Sequence, residues 1–143
     1  MNNLTEESPS VQTHLALIQG VIQRMSINSV QCKTWCITLV SAILVIVADK
    51  GKPDFVLIAL LPTILFFALD AYYLSLEKGF RHSYNIFVKK LHEKKLLPED
   101  LYSVVTSGGN FKNEIEAIKS FSVWGFYLGL IGLLIIARFI VLA

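Results

Sequence analysis

Three apolar stretches interrupt an otherwise amphipathic chain: TWCITLVSAILVIVA over 34–48, FVLIALLPTILFFALDAYYLSL over 55–76 and FSVWGFYLGLIGLLIIARFIVLA over 121–143. Each reads as a membrane-spanning helix. The first has 15 residues and covers about 22 Å at the helical rise. That is short of a ~30 Å hydrocarbon core, so Lys33 must snorkel or the bilayer must thin. Pro62 predicts a kink in the second span. Outside the spans, apolar residues recur at helical spacing. Val11, Leu15, Ile18, Ile22 and Met25 form one stripe; Phe80, Tyr84, Phe87 and Leu91 form another; Phe111, Ile115 and Ile118 form a third. No breaker separates these stripes from the spans. The pattern predicts an all-α integral membrane protein with long helices over roughly 9–49, 54–97 and 111–142 and a short one over 98–106. Ser8 with Pro9 marks the first start, "LLPED" marks the short helix, and "TSGGN" ends it. The amphipathic halves, 1–33 and 77–119, either bundle in the cytosol or lie on the membrane surface.

Composition agrees with one membrane domain spanning 1–143. Of 143 residues, 54% are hydrophobic, and the mean hydropathy of +0.57 exceeds that of an ordinary soluble domain. The N-terminal "MNNLTEESPS" is polar and acidic and does not read as a signal peptide. A net charge of +2 gives no reason to expect nucleic acid as a partner. Cys32 and Cys36 stand one helical turn apart, a poor disulfide spacing, and read as packing residues. His14, His82 and His92 are scattered, with surface or packing roles. "SGGN" lacks the Lys-Ser/Thr of a phosphate loop. With no nucleophile–base pair in view, no enzyme activity, cofactor or metal is expected.

The basic residues set the orientation. Arg24, Lys33, Lys78, Arg81, Lys89, Lys90, Lys94, Lys95, Lys112 and Lys119 fall on one side, and Lys50, Lys52 and Arg138 on the other. The richer side is expected in the cytoplasm, which puts the N-terminus inside and the C-terminus outside. Trp35, Tyr72, Tyr73 and Trp124 then gather at the cytoplasmic interface as an aromatic belt. The cluster Lys89, Lys90, Lys94 and Lys95 is a solvated face, or one that touches anionic headgroups or an acidic partner.

Asp70 is the unexpected residue, a carboxylate within an apolar run. Folding the first two helices back at Gly51 sets Lys33 opposite Asp70, Arg24 opposite Glu77 and Glu7 opposite Lys95. Glu77 also precedes Arg81 by four, a favourable spacing on one helix. Three roles fit Asp70: a structural partner for Lys33, the wall of an aqueous path or gate between subunits, or a carboxylate solvated by headgroups. The third span carries Gly125, Gly129 and Gly132 on one face, a GxxxG pattern that admits close helix approach within or between subunits. Arg138 snorkels at the outer end, or reaches Asp70 if the third helix sits much deeper.

Two segments carry a resemblance: IQGVIQRMSINSVQCKTW over 18–35 and LDAYYLSLEKGFRHSY over 69–84. They resemble a group of small bacterial membrane proteins and, more loosely, the SLATT-type two-helix membrane effectors. The matching positions include Arg24, Asn28, Ser29, Lys33 and Trp35 on one helix, and Asp70, Tyr73, Leu74, Glu77, Arg81 and Tyr84 on the other. The resemblance implies a membrane effector of an anti-phage defence system that forms pores or disrupts the membrane. A third span is added to the two-span pattern, and a sensor is expected as a separate protein.

The expected function is therefore an oligomeric effector of the bacterial inner membrane. It would perturb the bilayer, or form a pore, when triggered by a cytosolic sensor or defence protein. A non-conducting anchor that recruits a defence protein is one alternative, and a small housekeeping channel subunit another.

Overall fold

The computed structural model describes residues 4–107 and 110–141. Gly108 and Gly109 of the predicted "TSGGN" turn, and the last two residues of the third span, lie outside the described residues. The described chain is all-helical: α1 (Pro9–Lys50), a 3-10 segment (Pro53–Ala59), α2 (Leu60–His92), a 3-10 turn (Pro98–Asp100), α3 (Asn110–Ile118), α4 (Phe121–Ile136) and a π-helical end (Ala137–Val141). Three helices are long and apolar enough to cross a membrane: Pro9–Lys50, Pro53–His92 and Phe121–Phe139.

α1 runs unbroken for 42 residues, about 63 Å. Pro9 occupies its first turn, where a missing N–H costs nothing. Ser8 is the cap by position, and its carbonyl receives the Val11 and Gln12 N–H groups. Its hydroxyl, however, turns back to accept the Thr5 N–H rather than capping the helix. Gly51 ends α1 in the left-handed region at φ 58°, returning its N–H to Ala48. Pro62 makes no mid-helix kink. The helix begins at Leu60, so Pro62 again sits in a first turn. The Thr63 hydroxyl donates to the Ala59 carbonyl at 2.7 Å.

α2 stops at His92 rather than at 97. Lys94 adopts φ 55°. The Lys94 N–H donates to Leu91 and the Lys95 N–H to Lys90, the paired bonds of a left-handed helix stop. No glycine marks this stop, which is why the pattern over-ran it. The predicted helix at 98–106 shrinks to the turn at 98–100. There Asp100 accepts both the Lys90 ammonium at 2.7 Å and the Leu97 N–H at 3.0 Å. The third helix is also not continuous. Extended backbone at Ser120 separates α3 from α4.

α1 and α2 pack antiparallel, and α3–α4 returns along α2. The second pairing holds one register from end to end. Lys78 donates to the Glu116 carbonyl at 3.0 Å, the Tyr127 hydroxyl donates to the Phe66 carbonyl at 3.0 Å, and Arg138 meets Asp54 at 2.6 Å. Gly79 lets the chain approach closely at the first of these levels. A Cβ there would stand 3.1 Å from the Thr106 side chain and 3.3 Å from Asn113.

Two apolar cores result. Near the α1–α2 turn, Cys36, Val40, Val47, Val56, Ala59, Ala71, Val123, Tyr127, Leu130 and Leu134 fill the space among three helices. Near the N-terminus of α1, Val11, Phe87 and Leu91 form a second core with Leu4, Leu15, Leu96 and Leu101 around it. Between them lies a polar layer of Ser29, Asp70, Ser75 and Glu77, all buried.

Candidate functional site

The polar layer is built around Asp70, which is fully buried. Its position on α2 faces α1 at Ser29 and Lys33, which stand one turn apart. The Ser29 hydroxyl donates to Oδ1 of Asp70. The Lys33 ammonium stands 2.6 Å from Oδ2 and retains 17% exposure. It meets Oδ2 off the hydrogen-bond direction, so that contact is ionic rather than aligned. Lys33 also approaches the Ser29 hydroxyl at 3.4 Å. The three groups form a closed triangle in which a buried negative charge has both a counter-charge and a donor. This meets the condition for tolerating a charge away from water. Tyr127 and Val123 of α4 pack in the core directly below.

The other predicted pairs form differently. Arg24 is exposed and does not meet Glu77. Glu77, buried, instead accepts from Arg81 Nε at 2.8 Å, four residues along its own helix. That pair needs no interhelical geometry and has the favourable order of acid before base. Lys95 lies beyond the helix stop and takes Glu93 at 2.8 Å, not Glu7. The N-terminal segment reaches α2 one turn earlier, where Glu6 stands 3.5 Å from His92. Arg138 pairs with Asp54 beside the α1–α2 turn, which removes it from Asp70.

The aromatic residues fall at one level. The Lys33–Asp70 and Tyr127–Phe66 contacts place Trp35, Tyr72, Tyr73 and Trp124 within about two turns of Asp70 along the bundle. Trp35, Tyr72 and Trp124 are exposed. The glycine face of α4 is open at Gly129 and Gly132. A Cβ on Gly129 or Gly132 would have no described neighbour within 4 Å, and the atoms nearest to one on Gly125 belong to the Phe121 ring of its own helix.

Sequence reasoning gave His14 no specific partner. It is buried, stacks on Phe87 at 4.3 Å, and accepts the Tyr102 N–H at Nδ1 over 2.9 Å. Tyr102 is held at φ 62°. Burial lowers the His14 pKa below its ordinary 6.5, with nearby Asp100 opposing. Asp100 is itself held low, chiefly by the Lys90 hydrogen bond. The unfolded chain therefore binds a proton near pH 6.5 that the folded chain resists. Stability is full above that pH and falls as pH drops through it. Thermal unfolding in detergent is expected at lower temperature at pH 5.5 than at pH 7.5, with the Tyr102 amide exchanging faster. His14→Asn should flatten this dependence. An unchanged slope in that variant would assign the pH effect to another group.

No protein-family model matches the chain, and no curated protein or solved structure is significantly similar to it.

Proposed function

We propose that the chain is a self-associating effector of the bacterial inner membrane, triggered from the cytosol to perturb the bilayer or open a path between subunits. The observation that carries the membrane part is the outer wall of the turn-end half. Val45, Ile46, Leu57, Leu61, Ile64, Leu65, Leu128 and Leu133 are each at least 57% exposed. So many exposed aliphatic side chains in one half of the molecule suit lipid and not water. The polar half, with the basic excess, belongs in the cytoplasm. The interior of the three-helix half is filled by side chains, so a conducting path would run between subunits. The open face at Gly129 and Gly132 supports association in lipid by close backbone approach. The defence role rests on the resemblance of segments 18–35 and 69–84.

The reading is tested in cells. Expression, followed by phage challenge, is expected to collapse the signal of a membrane-potential dye before lysis. In the same cells Lys52→Cys should react with an impermeant maleimide and Glu99→Cys should not, in a Cys32→Ala/Cys36→Ala background. A steady potential under both conditions would favour the non-conducting anchor. The reverse labelling would overturn the orientation.

A further inference from the structure

A groove of about 450 Å³ lies between α1 and α2 on the polar side of the Asp70 layer. Its polar lining comes from Gln19, Gln23 and Ser26 on α1 and from Arg81, Tyr84 and Asn85 on α2, with Ile22 as the one aliphatic contributor. Among the described residues, no carboxylate lines it. Arg81 is oriented from behind, because its Nε is bound to Glu77 at 2.8 Å. The terminal nitrogens of this 61%-exposed side chain make no hydrogen bond among the described residues. Gln19 donates to the Tyr84 hydroxyl at 3.3 Å across the groove, holding the two walls together. The wall thus offers a guanidinium fork, three carboxamides and two hydroxyls, a set rich in donors for an oxyanion.

Its height narrows the ligand. Ser26 lies seven residues from Lys33, about 10 Å along α1, and Arg81 lies eleven residues from Asp70, about 16 Å along α2. The headgroup zone of one leaflet is roughly 5–8 Å deep beyond the hydrocarbon. With the Lys33–Asp70 pair near the inner boundary, the groove opens just past the headgroups at its Ser26 end and runs into the cytosol, so a lipid phosphate would reach it only from that end. Here the argument rests on the membrane reading given above.

We propose that this groove binds a phosphate oxyanion, with Arg81 as the principal contact and Ser26, Gln23 and Asn85 as neutral donors around it. The phosphate can belong to a lipid headgroup or to a soluble phosphate compound. Glu77 keeps Arg81 in place and offsets part of its charge, so binding depends on hydrogen-bond geometry as well as attraction.

Native mass spectrometry of the full chain in neutral detergent reads both sources. Phosphatidylglycerol is one probe and inorganic pyrophosphate the other. Binding of at least one is expected, weakened about tenfold or more by Arg81→Gln, the size of one charge-assisted hydrogen bond. Arg81→Lys, which keeps charge but loses the fork, should weaken it less than Arg81→Gln and more than nothing. Asn85→Leu tests an exposed donor without disturbing Glu77. Arg24→Gln, an equal charge change outside the groove, should bind as the parent does. Retention of phosphatidylglycerol alone identifies a lipid site, and retention of pyrophosphate identifies a soluble ligand. Failure of both probes would overturn the proposal. So would equal binding by the parent, Arg81→Gln and Asn85→Leu chains. Neither outcome depends on whether the protein depolarises a membrane.

Discussion

Lys33→Gln is expected to cost the folded hairpin about 3–5 kcal/mol, the usual penalty for leaving one buried charge without its partner. Asp70 is fully buried, and the Lys33 ammonium is the counter-charge in contact with it. Ser29 donates to the other carboxylate oxygen and cannot neutralise it. Asp70→Asn alone should cost less, because Lys33 keeps 17% exposure and can turn its ammonium toward solvent. The double variant is the decisive one. With both charges gone, the two introduced carboxamides can share a neutral hydrogen bond, and Ser29 still has an acceptor. The double change should therefore be milder than the sum of the singles by about 2 kcal/mol or more, as coupled neighbours require. Denaturant-driven unfolding in mixed micelles, followed by helical circular dichroism, reads all four corners of the cycle. Additivity within about 0.5 kcal/mol would mean that the pair contributes no coupling. Asp70 would then have to be explained by solvation or by a path between subunits.

The sequence pattern located this pair because it needed only two facts, an antiparallel hairpin and the position of its turn. Gly51 fixed the turn, and the register followed down to Asp70. Farther from the turn the same extrapolation failed. Arg24 and Glu77 are near one another by index, but Glu77 has an equally close partner on its own helix, and index arithmetic cannot rank the two. Glu7 and Lys95 failed for another reason. α2 ends at His92 through a left-handed Lys94, a stop that carries no glycine and so leaves no composition signal. The break at Ser120 is equally quiet, since "AIKSFSV" contains neither glycine nor proline. Only the cap preference of serine hints at it. His14 is read from the sequence only as a surface or packing residue. Its spacing from Val11 and Ile18 puts it on the buried stripe, but its partner is a backbone N–H 88 positions away. No local pattern reports that. The groove beside Arg81 leaves no mark in the sequence, because its residues are polar and common and only the packing of α1 on α2 gathers them.

Gly129→Leu is expected to lower the oligomeric state and abolish depolarisation while leaving the subunit folded. An added Cβ at this exposed position meets no described neighbour within 4 Å, so the larger side chain starts into open space on the subunit's surface. Leucine also favours a helix over glycine by up to about 1 kcal/mol, which works against any loss of folding. Whatever the variant loses must then come from outside the subunit. In lipid there is no hydrophobic gain from joining two apolar walls, and association depends on how closely backbones approach. A leucine at the centre of the Gly125, Gly129 and Gly132 face pushes a partner helix away and removes that contact. Size-exclusion chromatography with light scattering in mild detergent reads the oligomer, and the potential dye reads function in cells. Gly20→Leu is the matched control, since a Cβ there is equally unobstructed but lies on the polar half of α1. If Gly129→Leu keeps both the parent mass and the parent depolarisation, the glycine face points at lipid. The subunit contact would then lie along α1 and α2, with the partly exposed Lys33 beside Asp70 as a candidate for the path.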